Sequence, residues 1–157
     1  ATSINSSKEA DMGALSDFVE NKIIDWFLRG QAYTPPATVY VALLTAAPSD
    51  TGGGTEVSGG SYARVAVASS LANWAGTQAA ASTTASSGTG GTTSNNTAIT
   101  FPAPTANWGS VTHMAVYDAS SAGNLLWYSA LTTAKTVNNG DPAPSFPAAS
   151  LTLQLDS

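Results

Sequence analysis

The chain has 157 residues, 43% of them hydrophobic and only 10% charged, with a net charge of −5 and no cysteine. That length suits one domain, and a charge content far below the roughly 25% of ordinary soluble domains leaves the surface to Ser, Thr, Asn, Gly and Ala. Disulfides and zinc–thiolate sites are excluded, and the scattered bases Lys8, Lys22, Arg29, Arg64 and Lys135 form no cluster of the kind that binds nucleic acid or an anionic membrane.

Residues 1–14 are polar and aperiodic and read as an extended N-terminal arm, without the basic n-region and apolar h-region of a signal peptide. No apolar run reaches the ~18–20 residues of a membrane span. From Leu15 onward, Leu15, Phe18, Val19, Ile23, Trp26 and Phe27 recur at three- and four-residue steps, predicting one amphipathic helix over 15–29. Ser16 or Asp17 can cap its start, Asp17 with Glu20 fits a capping box, and Gly30 supplies the stop. Eight of the fifteen charged residues fall in positions 1–29, so the body beyond is nearly uncharged.

After the consecutive prolines of "YTPPAT", the segment "VYVALLT" (39–45) predicts a strand apolar on both faces, one of which the helix is expected to cover. "PSDTGGGTEVSGG" (48–60) reads as a Gly-rich loop and "SYARVAVAS" (61–69) as a second strand. Residues 75–97 hold no large hydrophobe and no charge, which predicts a long exposed excursion, or Thr-rich strand where a neighbour packs on it. "AITF" (98–101), "VTHMAVYD" (111–118), "NLLWYSAL" (124–131) and "SLTLQLD" (150–156) are further strands. The last alternates cleanly, with Leu151, Leu153 and Leu155 on one face. The sum is a mainly β chain: an antiparallel, jelly-roll-like β-sandwich over 15–157 that includes the helix, preceded by the arm 1–14.

His113 is the single histidine. With Asp118 and a serine it could be drawn as a triad, but no G-x-S-x-G elbow is present. On a strand it shares a face with Val111, Ala115 and Tyr117 and reads as a structural or interface residue. Asp50, Glu56, Asp118, Asp141 and Asp156 do not match an EF-hand, so neither metal nor cofactor is expected, a Ca²⁺ at the turn "NNGD" being the only alternative. Asp118 and Asp141 could form a glycosidase pair but read better as turn formers. The runs "GGG" and "GG" lack the Lys-Ser/Thr of a P-loop. Without a catalytic set, an enzyme is not expected. Arg64, the only charge in an apolar strand, must pair or lie at an interface, and Asp118 or Asp141 is the expected partner. Trp74, Trp108, Trp127 and Tyr128 could stack on sugars, although core packing suits them better.

At "GGSYARVAV", "FPAPTANWGSVTHMAVYDASSAGNLLWYSAL" and "KTVNNGDPAPSF…LTLQL", the chain resembles a family of small tailed-bacteriophage virion structural proteins, over roughly residues 15–156. Ser61 stands before Tyr62 where the family pattern has Gly. The resemblance implies a virion component assembled in the host bacterial cytoplasm, in first place a capsid decoration or cement protein bridging neighbouring capsid subunits. The alternative is a tail or fibre module binding a host-surface glycan. The implied partners are the major capsid protein or other virion proteins, together with copies of the chain itself, a trimer by analogy with threefold positions. Lys8, Glu9, Asp11, Lys22 and Arg29, where charge concentrates, and Arg64 are the candidate partner-binding residues.

Overall fold

The computed structural model describes residues 2–4 and 14–155, so the candidates Lys8, Glu9 and Asp11 lie outside the described residues. In chain order the elements are β1 (Thr2–Ser3), β2 (Ala14–Leu15), α1 (Asp17–Leu28), β3 (Thr38–Ala46), β4 (Thr55–Glu56), β5 (Val65–Ala68), β6 (Thr92–Ser94), β7 (Ile99–Thr100), β8 (Gly109–Tyr117), β9 (Leu125–Val137), β10 (Pro144–Phe146) and β11 (Thr152–Gln154). A large antiparallel sheet runs β2-β9-β8-β3-β4, with β5 on the same edge of β3 as β4. A three-stranded sheet β1-β10-β7 and a two-stranded pair β11-β6 are the other sheets among the described residues. Among the described residues the chain is thus mainly β and antiparallel with one helix, as its strand spacing predicts; β1 with β10 is the parallel exception there.

β3, β8 and β9 form the centre because their runs are rich in β-branched, aromatic and long apolar side chains. Val41, Leu43, Val111, Met114, Val116, Leu126 and Val137 point inward and meet Ile99, Phe101, Phe146, Leu151 and Leu153 from the smaller sheets and their flanks. Each such side chain contributes about 1.5–3 kcal/mol on burial. Aromatic rings fill the middle: Tyr62 stands edge-on to Trp108 at 5.4 Å, and Phe101 lies 6.2 Å from Phe146. Among the described residues one amide, Asn95, is fully buried, at 1% exposed, and fully employed. Its Nδ2 donates to the carbonyls of Thr97, Phe146 and Pro147, and its Oδ1 accepts from the Leu151 N–H, so it ties β6 to the end of the chain.

Several expectations need correction. His113 shares its face with Ala115 and Tyr117 but not with Val111, because the β8–β9 register shifts between Val111 and His113. Between those pairs β8 advances two residues and β9 five, and across this irregularity Val111 packs in the core. The strand expected over 61–69 begins only at Val65. Ser61 has φ 64 and the Tyr62 N–H closes a turn onto the Gly59 carbonyl, so the chain is still turning there. Glycine fits a left-handed residue best, yet here Ser61 takes that conformation and its Oγ lies 2.8 Å from Thr105 Oγ1. Gly60 cannot be replaced freely either, since a Cβ would come 2.9 Å from the indole nitrogen of Trp108.

The second face of β3 is not covered by the helix. Ala42, Leu44 and Ala115 are fully buried there beneath Leu125, Tyr117 and Tyr128 and the turn 48–54. The Tyr128 hydroxyl donates to Asp50 Oδ1 at 2.6 Å, and the Asp50 carbonyl accepts from the Asp17 N–H at 3.0 Å. In the stretch 75–97, Gln78 organises the exposed part: its Nε2 donates to Ser82 Oγ, Thr84 Oγ1 and the Ala85 carbonyl, and its Oε1 accepts from the Ser87 N–H. The last residues of that stretch supply β6, a Thr-rich strand that pairs with β11.

Candidate functional site

Two parts of the surface and one internal hub gather the polar and aromatic residues singled out in the sequence. The hub lies beside β4. Arg64 is held by Glu56, not by Asp118 or Asp141: Nε donates to Oε1 and Nη2 to Oε2, both at 2.8 Å, a bidentate fork. Nη1 donates to the carbonyls of Ala119 and Ala122 at 2.8 and 2.9 Å, and the guanidinium lies 3.7 Å from the Tyr117 ring centroid. Burial works against its charge, but the hydrogen bond and charge of Glu56 prevail and hold its pKa above the usual value. Tyr62 completes the hub by donating to Glu56 Oε1 at 2.8 Å and accepting from the Leu43 N–H at 3.0 Å. Burial first, then Glu56, pushes its phenol far above the usual tyrosine range. With its side chain 6% exposed and its donors engaged inside the chain, Arg64 anchors the β8–β9 turn.

Asp118 and Asp141 each close a turn of their own. Asp118 accepts from the backbone and side-chain N–H groups of Asn124, both at 2.7 Å, and Asp141 Oδ2 accepts from the Asn138 N–H at 2.7 Å. His113 is half-buried beside Thr112, whose hydroxyl lies 2.8 Å from Nδ1. Among the described residues, no group of three or more His, Cys, Asp or Glu is placed to hold a metal ion. Among them, too, no helix is long and apolar enough to cross a membrane.

A cleft of about 480 Å³ opens at the start of α1, where the turn 48–54 and the β8–β9 turn converge. Ser16, Asp17, Phe18, Asp50, Tyr117 and Asn124 are among its walls. Ser16 caps α1 by accepting from the Val19 N–H at 3.4 Å, and its own hydroxyl donates to the Leu125 carbonyl, so it pins the helix start to β9. Because Ser16 is the cap, the Asp17–Glu20 box does not form, and both carboxylates remain in the first turn. The cleft therefore offers hydrogen-bonding groups beside two aromatic rings.

The second surface is α1 itself. The helix leaves and re-enters the sheet at one end: the Ser16 N–H bonds to the Leu126 carbonyl, and the following strand resumes where Tyr40, Tyr117 and Leu125 align. Only Phe18 and Val19, in its first turn, pack on the core, and no helix residue is buried. Toward the C-terminus exposure rises: Ile24 49%, Trp26 57%, Phe27 70% and Leu28 81%. Lys22, 5.5 Å from the Phe18 ring, and Arg29, 3.3 Å from Asp25, border this ridge.

Trp26 and Phe27 were legible only as the apolar face of a helix, and that they stay open to water is new. The tryptophans weighed as sugar platforms are turned inward instead. Trp108 is 5% exposed, with its indole N–H donating to the Gly60 carbonyl, and Trp74 and Trp127 pack against the core.

Comparison with known families adds to this geometry. The family described as Podophage GP4 fiber I protein gp80 matches residues 14–154. The chain belongs to this family. It is accordingly a structural protein of a phage virion, located in the particle, and the family points to association with other virion proteins. The fibre description supports the tail-fibre alternative over a cement protein. A comparison with the curated proteins finds no match.

Proposed function

We propose that this chain is a building unit of a virion fibre, joined to its neighbours through α1, with the β body presented away from the joint. The exposed ridge of Ile24, Trp26, Phe27 and Leu28 carries this reading. A helix of twelve residues has little stability of its own in water, and an apolar patch of this kind marks a protein–protein contact. Lys22 and Arg29 then belong to the polar rim of that contact, with Lys8, Glu9 and Asp11 of the arm as further partner contacts. The fibre family favours this role over a decoration protein bridging copies of the major capsid protein.

The test is incorporation. Because Trp26, Phe27 and Leu28 are exposed, replacing all three by Ser leaves the melting temperature nearly unchanged while removing the chain from purified virions. Full incorporation of that variant would refute the reading. Counting copies in the same particles separates the two virion roles, since a cement protein matches the major capsid protein in number and a fibre falls far below it.

A second reading, binding of a host-surface glycan, is favoured by the cleft at the start of α1. Carboxylates beside aromatic rings, here Asp17 and Asp50 beside Phe18 and Tyr117, suit vicinal hydroxyls and the apolar face of a sugar ring.

A further inference from the structure

We propose that the cleft at the start of α1 takes a sugar bearing an ammonium group, a hexosamine with a free amine, in preference to neutral or acidic sugars. This names the ligand class of the glycan reading above and rests on it. The walls supply acceptors. Asp17, exposed in the first turn of α1, makes no side-chain hydrogen bond or ion pair among the described residues. Asp50 gives Oδ1 to the Tyr128 hydroxyl and keeps Oδ2, and Asn124 donates through Nδ2 to Asp118, which leaves its Oδ1 to accept. All three residues line the opening. An ammonium brings three N–H donors and no acceptor and so suits this wall, whereas a carboxylate is repelled by Asp17 and Asp50.

The groups that would draw an anion are engaged elsewhere. A helix start ordinarily favours one, but here the Asp17 N–H goes to the Asp50 carbonyl and the Val19 N–H to Ser16 Oγ, which leaves only that of Phe18 among these three. In the facing turn Gly52 gives its N–H to the Ser49 carbonyl. Among the described residues no lysine or arginine is a wall of the cleft. Arg64 lies against Tyr117 with its side chain only 6% exposed, and Arg29 pairs with Asp25 at the other end of α1. Lys22 comes 5.5 Å from the Phe18 ring and offsets one of the two carboxylates, not both.

Phe18 and Tyr117 complete the walls and offer apolar ring surface to the C–H face of a pyranose. The guanidinium against Tyr117 does not repel an incoming ammonium, because Glu56 neutralises it through the bidentate fork. The volume of about 480 Å³ falls within the ~300–1,000 Å³ of small-molecule sites and admits a monosaccharide.

The test titrates the full chain with glucosamine, N-acetylglucosamine, glucose and glucuronate, followed by NMR, at pH ~6, where the amine is charged and the carboxylates are ionised. N-acetylglucosamine keeps the substituent and removes the charge. Glucosamine is expected to bind at least about tenfold tighter than glucose or N-acetylglucosamine, with glucuronate weakest, and the margin should shrink in ~1 M salt. Asp17→Asn and Asp50→Asn, both at exposed positions, should weaken glucosamine more than glucose, with circular dichroism unchanged. Equal binding of glucose and glucosamine, weakened in both variants, overturns the amine preference and leaves the glycan reading standing. Glucuronate binding tighter than glucosamine overturns the preference as well. Binding that neither variant alters, or no binding of any of the four sugars at their highest soluble concentrations, overturns the glycan reading of this cleft along with it.

Discussion

Replacing Arg64 by Met tests whether the hub beside β4 holds the β8–β9 turn in place. Methionine keeps most of the stem volume and removes four hydrogen bonds, two to Glu56 and one each to the carbonyls of Ala119 and Ala122. Breaking a buried ion pair from one side costs about 3–5 kcal/mol, because the remaining charge is stranded. Two features reduce that figure. The Glu56 side chain is 27% exposed and regains some water, and the Ala122 carbonyl lies in an exposed turn. Loss of the guanidinium from the Tyr117 ring adds back about 0.5–1 kcal/mol. The expected loss is therefore ~2–4 kcal/mol, or a fall in Tm of about 5–12 °C for a chain of this length. Urea unfolding at one fixed protein concentration measures it, alongside Glu56→Gln and the double variant. Glu56→Gln retains an acceptor for the Tyr62 hydroxyl and should cost less than Arg64→Met. The double variant should fall short of the sum by at least ~1 kcal/mol, the signature of a coupled pair. A loss below about 0.5 kcal/mol for Arg64→Met, or strict additivity, would show that the fork contributes no net stability and the reasoning fails.

Alkaline pH should weaken the fold. Burial raises the phenols of Tyr62, Tyr117 and Tyr33, with Glu56 or Asp118 adding to the effect, so the folded chain keeps protons that the unfolded chain releases near pH ~10. The unfolded state then binds fewer protons, and stability present below about pH 10 declines above it. Urea midpoints from about pH 8 to 11, read with tyrosinate absorbance, check this; a flat midpoint contradicts it. For the cleft at the start of α1, a glycan array with the unmodified chain should find a polyhydroxylated ligand, and Asp17→Asn and Asp50→Asn should each weaken its binding about tenfold, the worth of one charge-assisted hydrogen bond. Equal binding by the variants would place the ligand elsewhere.

Local patterns in the sequence determined a great deal. The 3.6-residue period from Leu15 placed α1 to within two residues at either end, and the Val/Tyr/Leu runs marked β3, β8 and β9, because side-chain periodicity is a property of neighbouring residues. The Gly-Ser-Tyr-Ala-Arg and Trp-Gly segments also carried the virion resemblance that the family match supports. Short strands were less legible. Thr55–Glu56, Thr92–Ser94 and Pro144–Phe146 carry little pattern of their own and exist because a partner strand lies beside them. The sequence did not identify Glu56 as the partner of Arg64, since their separation of eight along the chain becomes a useful distance only after the Gly59–Ser61 turn folds them together. Nor could it separate the helix's two tasks. An amphipathic period shows that an apolar face exists; whether that face is covered depends on what else reaches it. Here the turn 48–54 and the tyrosines cover one face of the sheet, and only Phe18 and Val19 of α1 pack against the core on the other. Trp26, Phe27 and Leu28 are left facing water, and only the tertiary structure could decide that.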